Sequence, residues 1–342
     1  MQSHTVPRKL LDQFAYDDPV TRSRRLWQYA RNREPSGRAS PRTATRVSEH
    51  FADPSDSERE ARLEDRLNRE FENPVHAYID QLRYRTFVLS RSHVRQLTHY
   101  VSLLFNRSQA RRQATRQQVE IVIESSRALL ANESQISQIA GKWTLDLIRQ
   151  GQPMQRTVTL DEVRAAVRGM VDDMTASDHQ QTTYVDTMER AMAYLDDGMD
   201  SGMWNVMHTA PENPFVIGDA PVITSERNDN NSLTHGQGFA RPNAEVFLPV
   251  APTACLHILP NVQRTRRLVM PQTREVNEAQ AAYSTQYVYT NLCSTELNAV
   301  LQPHFGRTRL GINAFSVRHR NYTNTMFEIL MNGGQGFEAP PW

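Results

Sequence analysis

The chain has 342 residues, with 39 Lys and Arg against 38 Asp and Glu, for a formal net charge of +1. So even a balance sets up no global field toward nucleic acid or an anionic membrane, and any such binding must come from a local patch. Cys255 and Cys293 are the cysteines and lack Cys-x-x-Cys spacing, which excludes a disulfide framework and a cysteine-rich zinc site; with no charged leader and no membrane-length apolar run, the expectation is a soluble cytoplasmic protein without a membrane partner.

Pro7 suits the first turn of a short helix whose apolar side is Leu10, Leu11 and Phe14. Leu26-Trp27-Gln28-Tyr29-Ala30 reads as a strand, and the polar stretch 34–41 as a loop. Ser55-Asp56-Ser57-Glu58 has capping-box spacing ahead of a helix carrying Leu63, Leu67 and Phe71, which Asn73-Pro74 should break or kink. From Val75 to about Asp197 nearly everything reads as helix, interrupted at Gly151-Gln152-Pro153 and restarted by a second capping box, Thr159-Leu160-Asp161-Glu162. The methionines Met188, Met192, Met199, Met203 and Met207 read as core filling rather than a binding face.

The character then changes to short β-favouring runs bounded by proline, glycine and asparagine: Met203–Met207, Phe215–Ile217, Glu245–Leu248 and Cys255–Leu259. The polar segment from Ser225 to Asn243 reads as a long loop, Asn277 to Tyr289 as helix, Leu310 to Val317 as a further strand, and the end as a tail. The expected fold class is α+β, a helix-rich central bundle packed against a small, mostly C-terminal β-sheet. The expected organisation is an N-terminal segment at 1–50 joining the sheet, a helical region at 54–198, the sheet with its closing helix at 199–320, and a tail at 321–342.

Three residues carry candidate chemistry. His4 lies just before a helix start that offers free amides, and Arg8 stands about one turn on, so the two could hold a phosphate. Asp219 ends the apolar run Phe215-Val216-Ile217 and precedes Pro221; there it can orient a histidine, bind a metal, or simply accept amide hydrogen bonds in a turn. The other histidines show no metal-ligand spacing, and no Walker loop, nucleophile elbow or dinucleotide fingerprint is present. Arg107, Arg111, Arg112 and Arg116 form one basic stripe and Arg264, Arg266 and Arg267 another, both read as solvated salt bridging rather than a phosphate track.

The start His4-Thr5-Val6-Pro7 and the later Ile217-Gly218-Asp219-Ala220-Pro221-Val222 resemble the signature of the bacterial domain-of-unknown-function family 4238. Leu26–Tyr29, Glu49-His50-Phe51, Trp204 and Phe247–Pro252 follow in the family's order, whereas Gly218 and Ala220 stand where serine and asparagine are usual. The resemblance implies no reaction. From the residues, the leading expectation is an enzyme that cleaves or transfers a phosphate-containing substrate such as nucleic acid, with Arg8 on the phosphate, His4 as general acid/base and Asp219 as its orienter. A divalent metal fits that scheme without being required. The alternative is a non-catalytic helical binding or interaction module in which His4 and Asp219 are structural.

Overall fold

The computed structural model describes residues 2–48, 58–149, 157–175, 199–228, 232–235, 243–260 and 271–307. The cap at Ser55, the break at 151–153, Met188 and Met192, the Arg264–Arg267 stripe, the strand expected at 310–317 and the tail lie outside them. The fold is α+β, as the sequence led us to expect. Two compact units are present, one formed by 1–114 and 187–311, the other by 115–186 and 312–342.

In the first unit the chain opens with β1 (Gln2–His4), α1 (Arg8–Gln13), β2 (Tyr16–Asp17), β3 (Arg24–Ala30), β4 (Ser36–Ala39) and β5 (Arg46–Ser48). α2 (Arg59–Leu67) runs through a π-helical turn at Asn68–Glu72 into α3 (Asn73–His76). At Asn73-Pro74, where the sequence suggested a break or kink, the helical run continues but is interrupted by the π turn. Pro74 sits in the first turn of α3, where its missing amide removes no hydrogen bond, and the wider π turn before it absorbs the mismatch.

α4 (Arg91–Arg107) begins on a reciprocal cap, the Ser90 hydroxyl accepting from the His93 amide at 3.2 Å while His93 Nδ1 accepts from the Ser90 amide. Its far end is held differently. Arg107 donates to Glu64 at 2.8 and 2.9 Å and to Glu72 at 2.5 Å, all three side chains being largely buried. Arg107 is therefore a buried clamp between α4 and the α2–π segment, not a member of an exposed basic stripe.

α5 (Gln109–Leu130) begins in the first unit, and its part beyond Ala114 contributes Val119, Val122 and Ile123 to the core of the second unit with α6 (Glu133–Arg149) and α7 (Leu160–Thr175), centred on the fully buried Trp143. The capping box foreseen at Thr159 is formed: Glu162 accepts from the Thr159 amide at 2.7 Å, and the Thr159 hydroxyl accepts from the Glu162 amide at 3.2 Å.

The remaining elements of the first unit are β6 (Met203–His208), β7 (Ile217–Gly218), β8 (Ile223–Arg227), β9 (Leu233–His235), β10 (Ala244–Ala251), β11 (Ala254–Leu259), α8 (Thr273–Tyr283), β12 (Tyr287–Thr290) and α9 (Thr295–Leu301). One antiparallel sheet has the order β6-β11-β10-β8-β9; a second runs β2-β3-β12-β7 with β4 added to β3, and β1 pairs with β5. Every residue of β10 and β11 is buried, because both faces of these central strands are covered. Leu248, Val250, Leu256 and Ile258 share a core with Leu10, Leu11, Leu97 and Val101, whereas Phe247 and Cys255 meet Val276 and Ala279 of α8 on the other side.

Charge is buried in this sheet. Glu245 accepts from Arg227 at 2.5 and 3.1 Å and lies 3.0 Å from His257 Nε2, while the His257 ring stacks on Phe247. Burial acts to raise the Glu245 pKa, but the hydrogen bonds from His257 and Arg227 outweigh it and hold the carboxyl below its ordinary value. A folded pKa below the unfolded one contributes stability above the unfolded value and loses it as pH falls through the folded one. Glu245→Gln is expected to destabilise by about 3–5 kcal/mol, because Arg227 and His257 both lose the buried carboxylate that joins them. Urea unfolding of the two proteins across pH should also show a shallower loss of stability in the variant below roughly pH 4.3.

Candidate functional site

Asp219 follows β7 and is buried. Its backbone amide donates to the Tyr287 carbonyl at 3.1 Å. Its carboxylate accepts from the Thr285 amide, the Thr285 hydroxyl and the Gln286 amide, each at 2.8 Å, and from the Tyr287 amide at 3.3 Å. Burial pushes the Asp219 carboxyl above its ordinary pKa, with these four hydrogen bonds pulling the other way. The amides that Asp219 takes are those of 285–287 and not its own neighbours', so this long-range contact differs from the local turn read from the sequence.

This contact corrects the helix expected from Asn277 to Tyr289. α8 stops at Tyr283, and Tyr287-Val288-Tyr289-Thr290 forms β12, paired to β3 and to β7. The three amides at 285–287 are spent on Asp219 rather than on carbonyls four residues back, and the aromatic and β-branched residues that follow favour a strand. Gly218 permits the close approach. A Cβ there would stand 2.0 Å from Ser284 Oγ and 2.6 Å from Gln280 Nε2. Neither can yield freely, because the Ser284 hydroxyl donates to Gln280 O and the Gln280 amide to Ala220 O.

Beside Asp219 lies a hollow of about 230 Å³. Asp219, Gln286, Tyr287 and Tyr289 line one side of it. Thr5 and the segment Thr43–Arg46 line another, and Gln28, Ala39 and Gln109 complete it. Burial first, and the charge of Asp219 second, push the Tyr289 phenol far above its ordinary pKa, so it remains a neutral hydroxyl.

The N-terminal wall is stitched down. Gln2, Ser3 and His4 of β1 pair with Ser48, Val47 and Arg46 of β5. The Thr5 amide donates to Thr45 O at 3.0 Å, and the Thr45 hydroxyl donates to Val6 O at 3.2 Å. Thr45 itself has φ of 61°, a left-handed conformation that is an outlier for a β-branched residue. Arg46 is exposed and makes no ion pair among the described residues, and the side-chain amides of Gln28, Gln109 and Gln286 hydrogen-bond to no described residue.

Of the three residues singled out in the sequence, the structure places Asp219 on the hollow and His4 opposite Arg46 in the β1–β5 register. Arg8 is elsewhere. Its side chain is exposed, lies 3.8 Å from Asp12, and does not line the hollow. Sequence reasoning missed Arg46, the three glutamines and the two tyrosines. The alternating Tyr-Val-Tyr-Thr of 287–290 was the available signal, masked by the helical run before it. Among the described residues no group of three or more His, Cys, Asp or Glu is placed to hold a metal ion, and no helix is long and apolar enough to cross a membrane.

A family described as "Protein of unknown function (DUF4238)" matches residues 2–292. The chain belongs to that family, and the match spans both walls of the hollow. No curated protein and no solved structure matches.

Asp219→Ala is expected to leave three amides and a hydroxyl, partly buried in the wall, without their acceptor, destabilising by about 1–3 kcal/mol. Amide hydrogen exchange at 285–287 should accelerate selectively in this variant. Gly218→Ala should cost about 1–3 kcal/mol through overpacking against Ser284 and Gln280. Denaturant midpoints equal to wild type would contradict both assignments.

Proposed function

We propose that in this family member the hollow binds a small phosphate-bearing ligand, with Arg46 as its cation. What supports the reading above all is the contrast between the two charged groups of the lining. Arg46 has no carboxylate among the described residues, whereas Asp219 is already hydrogen-bonded by four donors. A planar guanidinium left open at a polar hollow suits a phosphate, to which it can donate two parallel hydrogen bonds. The ligand's phosphate can be free or part of a nucleic acid.

If the protein is an enzyme of hydrolysis or transfer, His4 is the general acid/base we assign, since the backbone register sets it opposite Arg46. Asp219 then acts by holding the wall that carries Tyr287 and Tyr289. Arg46 takes the phosphate-binding part for which Arg8 was the sequence candidate, because Arg8 faces Asp12. A metal is not required by this scheme. The second reading, a binding module without chemistry, draws its support from Asp219 as well: its carboxylate is engaged by four donors of the segment 285–287, as in a structural anchor.

Titration with inorganic phosphate, followed by thermal unfolding, tests the binding. At a hundredfold excess over the dissociation constant the wild type should gain about 2.7 kcal/mol. Arg46→Ala should lose that gain, and Arg8→Ala should keep it. Equal stabilisation of wild type and Arg46→Ala would sink the proposal. Turnover of a phosphate-ester probe that vanishes in a folded, phosphate-binding His4→Ala protein would support chemistry, whereas turnover unchanged by that substitution would assign His4 a structural role.

A further inference from the structure

We infer that the ligand of the hollow is a single nucleotide, a heterocyclic base joined to a phosphate, and not a bare anion. This rests on the reading above that the hollow binds phosphate, and it adds what the rest of the lining is for. Besides Arg46, three glutamine side chains, Gln28, Gln109 and Gln286, border the hollow without a hydrogen-bond partner among the described residues. An amide offers one acceptor and two donors. A phosphate accepts from the amide N–H groups only and leaves the three carbonyl oxygens to water. A ligand with both donors and acceptors uses them. Base edges have that mixture, and glutamine pairs with them in a bidentate manner elsewhere in recognition chemistry.

Two further features distinguish a base from other polar groups. Tyr287 is half-buried in the lining, leaving part of its ring accessible, and it is backed by the buried Tyr289 at 6.3 Å between centroids. A supported aromatic surface is a stacking platform for any base. The volume of about 230 Å³ lies just below the usual range of ligand pockets, roughly 300–1,000 Å³, which limits the hollow to one small ligand and leaves no track for a long strand. Thr45 adds an independent observation. Its left-handed backbone, at a φ of 61° in a β-branched residue, is a strained conformation set directly in the wall, and such strain concentrates where a site must present groups in a fixed arrangement.

The same chemistry could come from a free nucleoside monophosphate or from the terminal nucleotide of a strand. The test therefore uses calorimetric titration of the full chain with inorganic phosphate, ribose 5-phosphate, the four nucleosides, their 5′-monophosphates and a 5′-phosphorylated hexanucleotide. At least one monophosphate should bind roughly tenfold or more tightly than phosphate, ribose 5-phosphate and its own nucleoside. Arg46→Ala should reduce that monophosphate to the affinity of its nucleoside. Gln286→Ala, which keeps the backbone amide on Asp219, should weaken the monophosphate while leaving phosphate binding unchanged.

A hexanucleotide that binds at least as well as the monophosphate identifies a strand end as the source, and one that is excluded identifies the free nucleotide; both support the inference. Monophosphates no better than ribose 5-phosphate or phosphate, with Arg46→Ala still weakening phosphate, would overturn the nucleotide assignment and leave the phosphate reading standing. No binding of any of these probes by folded wild-type protein would overturn both.

Discussion

The carboxylate of Asp219 takes the backbone amides of Thr285, Gln286 and Tyr287, three successive donors that would otherwise extend α8, together with the Thr285 hydroxyl. Burying a carboxylate is unfavourable unless its oxygens are well supplied with donors, and here the supply comes from a segment more than sixty residues away. The exchange benefits both sides. Asp219 obtains its hydrogen bonds, and the chain leaving α8 obtains an acceptor for amides that a helix end leaves over. Because the donors are consecutive, the backbone is turned at once from helix into β12.

From that turn the second sheet follows. β12 lies between β3 and β7, so residues from the start of the chain, from the neighbourhood of Asp219 and from the region after α8 become direct neighbours. The β1–β5 pair and the bonds of Thr5 and Val6 to Thr45 then draw the first residues against the same place. The hollow is what remains between these segments. Its polar lining is the consequence of edges and turns meeting there, where backbone and amide groups are plentiful and apolar side chains point into the adjacent cores.

Buried charge recurs in the first unit, each time joining elements that are distant in sequence. Glu245 ties β10 to Arg227 of β8 and His257 of β11, and Arg107 ties the end of α4 to Glu64 and Glu72. A buried pair is weak evidence of net stabilisation, since removing two charges from water offsets much of their attraction. Such pairs are nonetheless intolerant of misplacement, because a wrong register leaves a charge alone in the interior. That intolerance suits strands such as β10, buried along its whole length, whose apolar residues on both faces would not by themselves penalise a slip.

Local order was written in the residues themselves. The strands around Leu26–Ala30, Val246–Leu248 and Leu256–Ile258 and the capping box at Thr159 could be read without coordinates, since each depends on side-chain period, β-branching or a cap within a few residues, and the family could be read from His4-Thr5-Val6-Pro7 and the segment 217–222. What followed from distant partners could not be read: that β12 replaces the end of a helix, that Arg107 is buried between two glutamates, and that Arg46 rather than Arg8 lines the hollow with Asp219. Those outcomes turn on which donor meets which acceptor after the chain has closed on itself. A propensity can be overruled by a single buried carboxylate, and only the folded arrangement shows where that carboxylate finds its amides.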